Sequence, residues 1–236
     1  MNSSLDALKA AAQRAPIVPV LVVPDVDAAA PLARALVEGG LTIAEVTLRT
    51  PSGLKVIEEM KKAQPDLIVG AGTVLTKEDV VNAMNAGSDF LVSPGMSPGL
   101  LDALGDYMGI TIPGVATASE AMTRYEEGFK MLKLFPAAIA GGVGALKALS
   151  GPLPHLQFMP TGGVSADNAG EYLSLPNVVA VGGSWIATEK DVTTGAWSSV
   201  ERSGNQGLCM AGCTLGSRAE NRQRTGRSPL AARPRI

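Results

Sequence analysis

Eight short apolar runs, each followed by a segment with helical periodicity, constrain the fold of this 236-residue chain more than any other feature. The runs recur at similar intervals and are Ile17–Val23, Thr42–Leu48, Leu67–Ala71, Phe90–Val92, Ile110–Ile112, Met131–Phe135, Leu156–Met159 and Val178–Val181. The helical segments between and after them are Val26–Glu38, Ser52–Ala63, Lys77–Ala86, Pro98–Met108, Ser119–Gly128, Gly144–Ser150 and Ala166–Leu173. Repeated strand–helix units place parallel strands side by side through right-handed crossovers.

The even spacing and the count of eight predict an α/β protein of the (β/α)8 TIM-barrel type. Runs that are apolar on both faces suit a sheet that is covered on both sides. The first sixteen residues form an extra N-terminal helix outside the repeat. A doubly wound open sheet is the structural alternative.

The repeat ends near residue 202, which predicts a barrel domain over 1–202 and a separate tail over 203–236. Gly, Arg, Ser and Pro dominate the tail, a composition typical of disorder. It contains six Arg and a single acid, Glu220, so the chain's net charge of -2 leaves about -7 on the preceding residues. A flexible basic tail is the simpler interpretation, and a tail that binds nucleic acid or a membrane is the alternative.

Composition excludes several classes of protein. The two cysteines, Cys209 and Cys213, both lie in the tail, which argues against a disulfide framework and favours a reducing, cytoplasmic location. No continuous apolar stretch has the length of a signal peptide core or a membrane span. We therefore expect no membrane and no nucleic-acid partner for the folded domain.

Lys133 is the most informative candidate because it interrupts an apolar strand, between Leu132 and Leu134. In a barrel, reactive groups gather at the carboxyl ends of the strands. Burial penalises the charged ammonium form of a lysine, and a neutral amine can attack a ketone to form an imine. The alternative is a lysine whose amine extends to the surface.

Glu45 is the second candidate. Alternation along the second strand places Ile43, Glu45 and Thr47 on one face and the apolar Ala44 and Val46 on the other. A carboxylate on the inner face must be paired or functional. Arg49 lies one layer higher on that face, so the residues predict either a structural Glu–Arg pair or a proton-transfer group beside a binder of substrate carboxylate.

Two glycine pairs follow the seventh and eighth strands, in Thr161-Gly162-Gly163 and Gly182-Gly183-Ser184. Loops at these two places commonly bind phosphate in barrels, and glycine lets backbone amides approach an anion closely. Tight turns are the alternative. Gly70–Thr73 lacks the spacing of a dinucleotide-binding fingerprint, and the chain has no Walker A sequence.

Metal and thiol chemistry find no support in the sequence. His155, the single histidine, lies in a loop and is expected at the surface, so a zinc aldolase with several histidine ligands is excluded. Asp, Glu and Lys must carry any reaction, and we expect no cofactor and no metal.

Seven motifs, in order, resemble the bacterial 2-keto-3-deoxy-6-phosphogluconate (KDPG) aldolase family, which is also described as 2-keto-4-hydroxyglutarate (KHG) aldolase. The resemblance covers residues 5–200 and rests on Pro16–Val20, Glu45–Thr50, Gly70–Leu75, Ser93–Gly95, Lys133–Ala137, Pro160–Gly163 and Gly182–Trp185. It breaks down in the tail, where the last helix of the family is truncated or replaced.

The resemblance implies a class I aldolase of the Entner–Doudoroff pathway that splits KDPG into pyruvate and glyceraldehyde 3-phosphate. It also implies possible cleavage of KHG to pyruvate and glyoxylate, a homotrimer and no metal. Lys133 would form the Schiff base, and Glu45 would be the acid and base.

The resemblance assigns the other site residues to two groups. The pyruvate moiety would be held at its carboxylate by Arg49 and Thr73 and walled by Pro94 and Phe135. The distal hydroxyls and the phosphate would be met by Thr161, Gly162, Gly163, Gly183 and Ser184.

Rival functions remain open from the residues alone. A phosphosugar isomerase or epimerase on the same fold would use carboxylates without an imine. A phosphometabolite-binding module would bind without turnover, and a nucleic-acid protein would act through its arginine-rich tail.

Overall fold

The computed structural model describes residues 4–209 and 212, and the strands and helices follow the predicted order. The strands are β1 (Ile17–Leu21), β2 (Ile43–Thr47), β3 (Ile68–Gly72), β4 (Phe90–Val92), β5 (Thr111–Ile112), β6 (Gly114–Val115), β7 (Met131–Leu134), β8 (Gln157–Phe158) and β9 (Val181–Gly183). The helices are α1 (Ser4–Arg14), α2 (Ala29–Glu38), α3 (Gly53–Ala63), α4 (Lys77–Asn85), α5 (Pro98–Leu104), α6 (Ala118–Glu126), α7 (Gly142–Leu149), α8 (Ala169–Leu173), α9 (Glu189–Thr194) and α10 (197–209). Two 3-10 segments are Val26–Ala28 and Gly105–Ile110.

All strand pairs are parallel, which confirms the α/β class. One sheet has the order β5-β4-β3-β2-β1-β9, and a second has the order β6-β7-β8. Isolated parallel bridges join Phe158 to Val178 and Thr161 to Gly182, so β8 and the start of the β9 region are also adjacent.

The fifth strand differs from its prediction because Pro113 divides it. Thr111 and Ile112 pair with β4, whereas Gly114 and Val115 pair with β7. Proline has no amide hydrogen to donate to a ladder, and the carbonyl oxygen of Pro113 still accepts from the Lys133 amide at 2.8 Å. One continuous segment of chain therefore belongs to both sheets.

The eighth strand is shifted relative to its prediction. It begins at Val181 and ends at Gly183, whereas Val178 makes only a single bridge. Gly182 and Gly183 pair with Val18 and Pro19 through the backbone. A hydrophobic pattern cannot predict strand residues that are glycines, because glycine has no side chain on either face of the strand.

Two apolar clusters lie on opposite faces of the strands. The larger cluster joins the outer strand residues, such as Ala44, Val46 and Leu132, to the helices. The smaller one joins residues of the inner face, namely Val18, Ile43, Phe90, Val92, Ile112, Met131, Met159 and Ala180, to Leu8, Ala11 and Ala12 of α1. Helix α1 is thus the predicted extra helix, and its apolar side covers the inner cluster.

The helices begin and end where local chemistry directs them. In α3, Val56, Ile57 and Met60 are buried, whereas Lys55 and Glu58 form an ion pair on the exposed side, as expected for an amphipathic helix. Thr76 and Thr117 accept hydrogen bonds from the first turns of α4 and α6 and complete capping boxes with Asp79 and Glu120.

Helix α10 continues seven residues past the expected boundary at 202. It packs closely on the end of α2, since a methyl group added at Gly204 would lie 2.8 Å from the Gly39 carbonyl oxygen. One added at Gly207 would lie 2.7 Å from Ile17 Cδ1. The domain division itself stays a prediction, because residues 210, 211 and 213–236 lie outside the described part of the chain. No helix over the described residues is long and apolar enough to cross a bilayer.

Candidate active site

Lys133 and Glu45 form a buried ion pair at the inner face of the strands. Lys133 Nζ donates to Glu45 Oε1 at 3.1 Å, and only 4% and 1% of the two side chains are exposed. The second carboxylate oxygen, Oε2, is buried and has no hydrogen-bond partner among the described residues. Two groups that can exchange a proton therefore face each other away from water, with one acceptor oxygen left over.

Strand alternation places both side chains on the inner face, as the sequence predicts. Ile43 belongs to the inner cluster and Ala44 and Val46 to the outer one, so Glu45 points inward with Ile43. On β7, Met131 is inner and Leu132 is outer, so Lys133 also points inward. The alternative of a lysine extended to the surface is thereby excluded.

Arg49 and Thr73 lie together just beyond the ends of β2 and β3. Arg49 Nε donates to Thr73 Oγ1 at 3.2 Å, and no carboxylate among the described residues pairs with the Arg49 guanidinium. This outcome decides against a structural Glu45–Arg49 pair, because Glu45 pairs with Lys133 instead. An exposed guanidinium without a counter-ion can bind a carboxylate.

Thr73 has an unusual backbone conformation. Its φ is +61°, and within the described part of the chain no other residue except glycines has a positive φ. This conformation is costly for a β-branched residue and is enriched at functional sites. It holds Thr73 Oγ1 within reach of Arg49.

A cleft of about 140 Å³ joins the ends of β1, β8 and β9. Seven predicted site residues line it, namely Arg49, Phe135, Thr161, Gly162, Gly163, Gly183 and Ser184. Gly162 and Gly163 have φ values of +92° and +78°, conformations that glycine adopts without strain. No described backbone or side-chain acceptor pairs with the amides of Gly162, Gly163 or Ser184. This loop can therefore offer amide hydrogens to an anion.

Thr161 connects this cleft to the interior. It is 6% exposed, and its Oγ1 is buried without a partner among the described residues. A methyl group added at Gly182 would lie 2.2 Å from Thr161 Oγ1, so the hydroxyl occupies the space that the glycine leaves. An unpaired buried hydroxyl at a cleft is available to a ligand.

Phe135 links the cleft to Lys133 and to Pro94. The centre of its ring lies 5.2 Å from Lys133 Nζ. The same ring lines a second cleft of about 250 Å³ together with Pro94, Gly95 and residues at the start of α6. The other eight predicted site residues therefore gather around Phe135 and the Lys133–Glu45 pair.

Sequence reasoning missed several residues that line the smaller cleft, among them Val20, Val22 and Val164. Val18 belongs to the inner cluster, so alternation along β1 places Val20 and Val22 on the same face. That signal was present in the sequence, but apolar residues at a strand end do not stand out from core residues.

His155 lies away from this site. It is exposed, as predicted, and its ring stacks on Tyr125 of α6 with the ring centres 6.1 Å apart. Within the described residues, no three His, Cys, Asp or Glu side chains are grouped so that they could hold a metal ion.

Comparison with known proteins identifies the family. The family model described as "Aldolase: KDPG and KHG aldolase" matches residues 8–203. The chain belongs to the KDPG and KHG aldolase family. The predicted family resemblance is therefore confirmed, and the family match ends six residues before α10 does.

Relatives in this aldolase family cover most of the chain. The 2-dehydro-3-deoxy-phosphogluconate aldolase of Pseudoalteromonas atlantica is 47% identical over 197 residues, which cover 83% of this chain and 91% of the relative. The KHG/KDPG aldolase of Escherichia coli K12 is 41% identical over 187 residues, which cover 79% of this chain and 88% of that protein.

A solved structure of a KDPG aldolase also matches. The enzyme from Legionella pneumophila, with pyruvate captured at low pH as a covalent carbinolamine intermediate, superposes with a TM-score of 0.80 at 43% identity. The match covers 84% of this chain and 96% of the Legionella chain. The fold of this KDPG/KHG aldolase family member is thus shared over nearly the whole length of that enzyme.

Proposed function

We propose that this chain is a class I aldolase that cleaves KDPG to pyruvate and glyceraldehyde 3-phosphate. The observation that carries the proposal is the buried Lys133–Glu45 pair on the inner face of the strands in a KDPG and KHG aldolase family member. A buried amine beside a carboxylate suits imine formation, which needs a neutral nucleophile and a proton acceptor. No cofactor is required, because the iminium itself accepts the electrons.

The first steps form the imine. A proton passes from Lys133 Nζ to Glu45 Oε1 across the 3.1 Å hydrogen bond, leaving a neutral amine. The amine attacks the C2 ketone of the substrate and gives a carbinolamine, from which Glu45 expels water by returning the proton to the hydroxyl. The product is an iminium between Nζ and C2.

The next steps break and repair the carbon skeleton. Glu45 removes the proton from the C4 hydroxyl, the C3–C4 bond breaks, and its electron pair flows into the iminium to leave an enamine. Glyceraldehyde 3-phosphate departs as the aldehyde. Glu45 then returns the proton to C3. Water hydrolyses the iminium to release pyruvate, and the proton that this step frees stays on Lys133 Nζ, which restores the ammonium–carboxylate pair.

The remaining residues bind the two ends of the substrate. Arg49 and Thr73 hold the carboxylate, because the Arg49 guanidinium has no acidic partner among the described residues and Thr73 fixes its orientation. Pro94 and Phe135 enclose the pyruvate portion beside Lys133 Nζ.

The phosphate lies in the smaller cleft. Thr161, Gly162, Gly163, Gly183 and Ser184 bind the distal hydroxyls and the phosphate, supported by the unpaired Thr161 hydroxyl and by loop amides that have no described acceptor. The positive φ values of Gly162 and Gly163 allow the backbone to turn toward an anion.

The complete fold is a closed eight-stranded barrel with parallel strands. The continuity of β5 and β6 through Pro113 supports one junction between the two sheets, and the Phe158–Val178 and Thr161–Gly182 bridges support the other. The enzyme acts as a homotrimer. It works in the cytoplasm, which is a reducing compartment. The absence of cysteine before Cys209 is compatible with that reducing compartment.

Cleavage of KHG to pyruvate and glyoxylate is the second candidate activity. It is favoured by the name of the Escherichia coli relative, a KHG/KDPG aldolase at 41% identity. Both substrates share the 2-keto acid end that Lys133 and Arg49 would bind, and they differ at the end that enters the glycine-lined cleft.

A substrate comparison tests the proposal. Pyruvate release is measured with KDPG, with its analogue that lacks the phosphate, and with KHG. We expect KDPG to give the highest kcat/KM and the dephosphorylated analogue to lose at least about tenfold, as expected when a charge-assisted phosphate contact is removed. Isomerised product without pyruvate, or binding without turnover, would contradict the aldolase assignment and support the rival functions.

A further inference from the structure

The inner face of β3 carries two glycines at Gly70 and Gly72, between the partly buried Ile68 and the positive-φ Thr73. Neither glycine has a positive φ, so neither is needed for an unusual backbone conformation. Their missing side chains instead leave space on the inner face. Two different neighbours occupy that space.

Gly72 faces the Glu45 carboxylate. A Cβ at position 72 would lie 2.2 Å from Glu45 Oε1 and 2.6 Å from Glu45 Cγ, closer than real Cβ contacts allow. Oε1 is the oxygen that accepts the hydrogen bond from Lys133 Nζ. At Gly70, a Cβ would instead lie 2.4 Å from the ring of Phe90, in the inner apolar cluster.

The strand backbones cannot absorb this crowding without loss of pairing. In the β2–β3 ladder, Glu45 pairs with Gly70 and Thr47 with Gly72, over a continuous run of five residue pairs. The side chain of Glu45 is the freer partner, but it is completely buried and cannot move into solvent. A methyl group at position 72 would therefore displace the carboxylate, and a shift of about 1 Å is enough to break a hydrogen bond of this length.

We propose that Gly72 is a positioning residue for the aldolase reaction, because its missing side chain holds open the space in which the Glu45 carboxylate meets Lys133. The inference rests on the proposed function. The three atoms nearest to a Cβ at position 72 all belong to Glu45, so Gly72 acts through the location of Glu45 Oε1. Its effect belongs to proton transfer rather than to substrate binding.

The decisive comparison is between Gly72→Ala and Gly70→Ala. Both add one methyl group to the same face of the same strand, but only the first meets the carboxylate. Gly144→Ala, in α7, is the control for a methyl group in open space. Each variant is incubated with pyruvate, and two quantities are measured over a pH series.

The first quantity is the amount of imine on Lys133, trapped with borohydride. The second is the rate at which the methyl protons of pyruvate exchange with D2O, which requires Glu45 to remove and return a proton at C3. We expect Gly72→Ala to lower the exchange rate per trapped imine by about 100-fold, the range of a general acid–base contribution, and to alter its pH profile. Gly144→Ala should stay within about threefold of the wild type. Gly70→Ala, whose methyl group meets the Phe90 ring rather than the carboxylate, should lower the exchange rate per trapped imine much less than Gly72→Ala.

A double-mutant cycle covers the case in which Gly72→Ala folds poorly. Glu45→Ala removes the atoms that the new methyl group meets, so the loss of Tm caused by Gly72→Ala should largely disappear in that background. An equal loss of Tm in both backgrounds would overturn the proposed contact. An unchanged exchange rate per imine in Gly72→Ala, or an equal fall in Gly70→Ala, would overturn the positioning role. Absence of imine in the wild type would instead overturn the proposed function.

Discussion

Lys133 Nζ and Glu45 Oε1 lie 3.1 Å apart although their residues are separated by 88 positions in the sequence. The pair crosses from β7 to β2 on the inner face, and Glu45 Oε2 beside it has no described hydrogen-bond partner. Burying two charges costs desolvation free energy that is offset only when their remaining polar atoms are satisfied. An incompletely satisfied pair is poorly suited to stabilising the fold and well suited to exchanging protons with a substrate.

Replacing the acid and base should separate imine formation from turnover. We expect Glu45→Gln to lower kcat for KDPG cleavage by about 10²- to 10⁴-fold, because the amide cannot accept and return the C4 hydroxyl proton. Steady-state kinetics measure this loss. Glu58→Gln, which removes a surface carboxylate paired with Lys55, is the matched control and should leave kcat unchanged. A Glu45→Gln enzyme with nearly full kcat would assign proton transfer to another group.

Arg49 should govern affinity for the keto acid more than the chemical steps. Arg49→Lys keeps the charge but loses the two-pronged contact with a carboxylate and the Nε bond to Thr73. We expect KM for KDPG to rise at least about tenfold, equivalent to about 1.4 kcal/mol, with a smaller change in kcat. Arg34→Lys, on the exposed side of α2, is the control. An unchanged KM in Arg49→Lys would argue against carboxylate binding at this residue.

The inward orientation of Lys133 and Glu45 was predictable because strand alternation is local. Each of the two residues interrupts an apolar strand. The residue directly before it and the residue directly after it both face the helices. The same logic fails for Gly72 and Gly182, because a glycine has no side chain whose direction can be inferred. Only the structure reveals that Glu45 and Thr161 occupy the space that these glycines leave.

Features set by long-range geometry were not predictable. The division of the fifth strand at Pro113 depends on its two different partners, β4 and β7. The positive φ of Thr73 has no signal in the sequence, because β-branched residues ordinarily avoid that conformation. Helix α10 continues beyond residue 202 because Gly204 and Gly207 pack closely on Gly39 and Ile17, whereas composition alone predicts disorder there.

The N-terminal turn of α6 should give the fold a pH dependence. Hydrogen bonds from the Ala116 backbone and then from Thr117 hold the pKa of Glu120 below its usual value near 4.5. A lowered carboxylate pKa stabilises the fold above the pKa of the unfolded chain, and this contribution is lost as pH falls through the lower folded value. We expect Glu120→Ala to cost about 1 kcal/mol at neutral pH, the usual size of a helix cap.

Thermal unfolding at several pH values measures the effect. The difference in Tm between wild type and Glu120→Ala should be largest at neutral pH and should shrink below about pH 4 as the wild-type carboxylate becomes protonated. Glu126→Ala, in the last turn of the same helix, is the control and should not lower the Tm at neutral pH. If the difference in Tm between wild type and Glu120→Ala stayed constant down to about pH 3, the ionised Glu120 carboxylate would not be the source of the stabilisation.

Two truncations should distinguish the packed part of the C-terminal segment from the rest. Removing 203–236 deletes the contacts of Gly204, Gly207 and Leu208 with α2 and β1, and we expect the Tm to fall by about 5 °C or more. Removing 210–236 keeps those contacts, and we expect both Tm and kcat/KM to remain close to the full-length values. A large loss of activity in the shorter deletion would overturn the predicted independence of the aldolase domain from its basic tail.

The most direct test of the Schiff-base mechanism is treatment with pyruvate and borohydride, followed by intact mass and peptide mapping. We predict one stable adduct of the size of reduced pyruvate per chain, on the peptide that contains Lys133, together with loss of KDPG cleavage. Lys133→Met should remain folded and form no adduct, whereas Lys130→Met, three residues earlier and exposed, should be labelled like the wild type. No adduct on the folded wild-type protein would contradict imine catalysis, and an adduct on another lysine would contradict the assignment of Lys133.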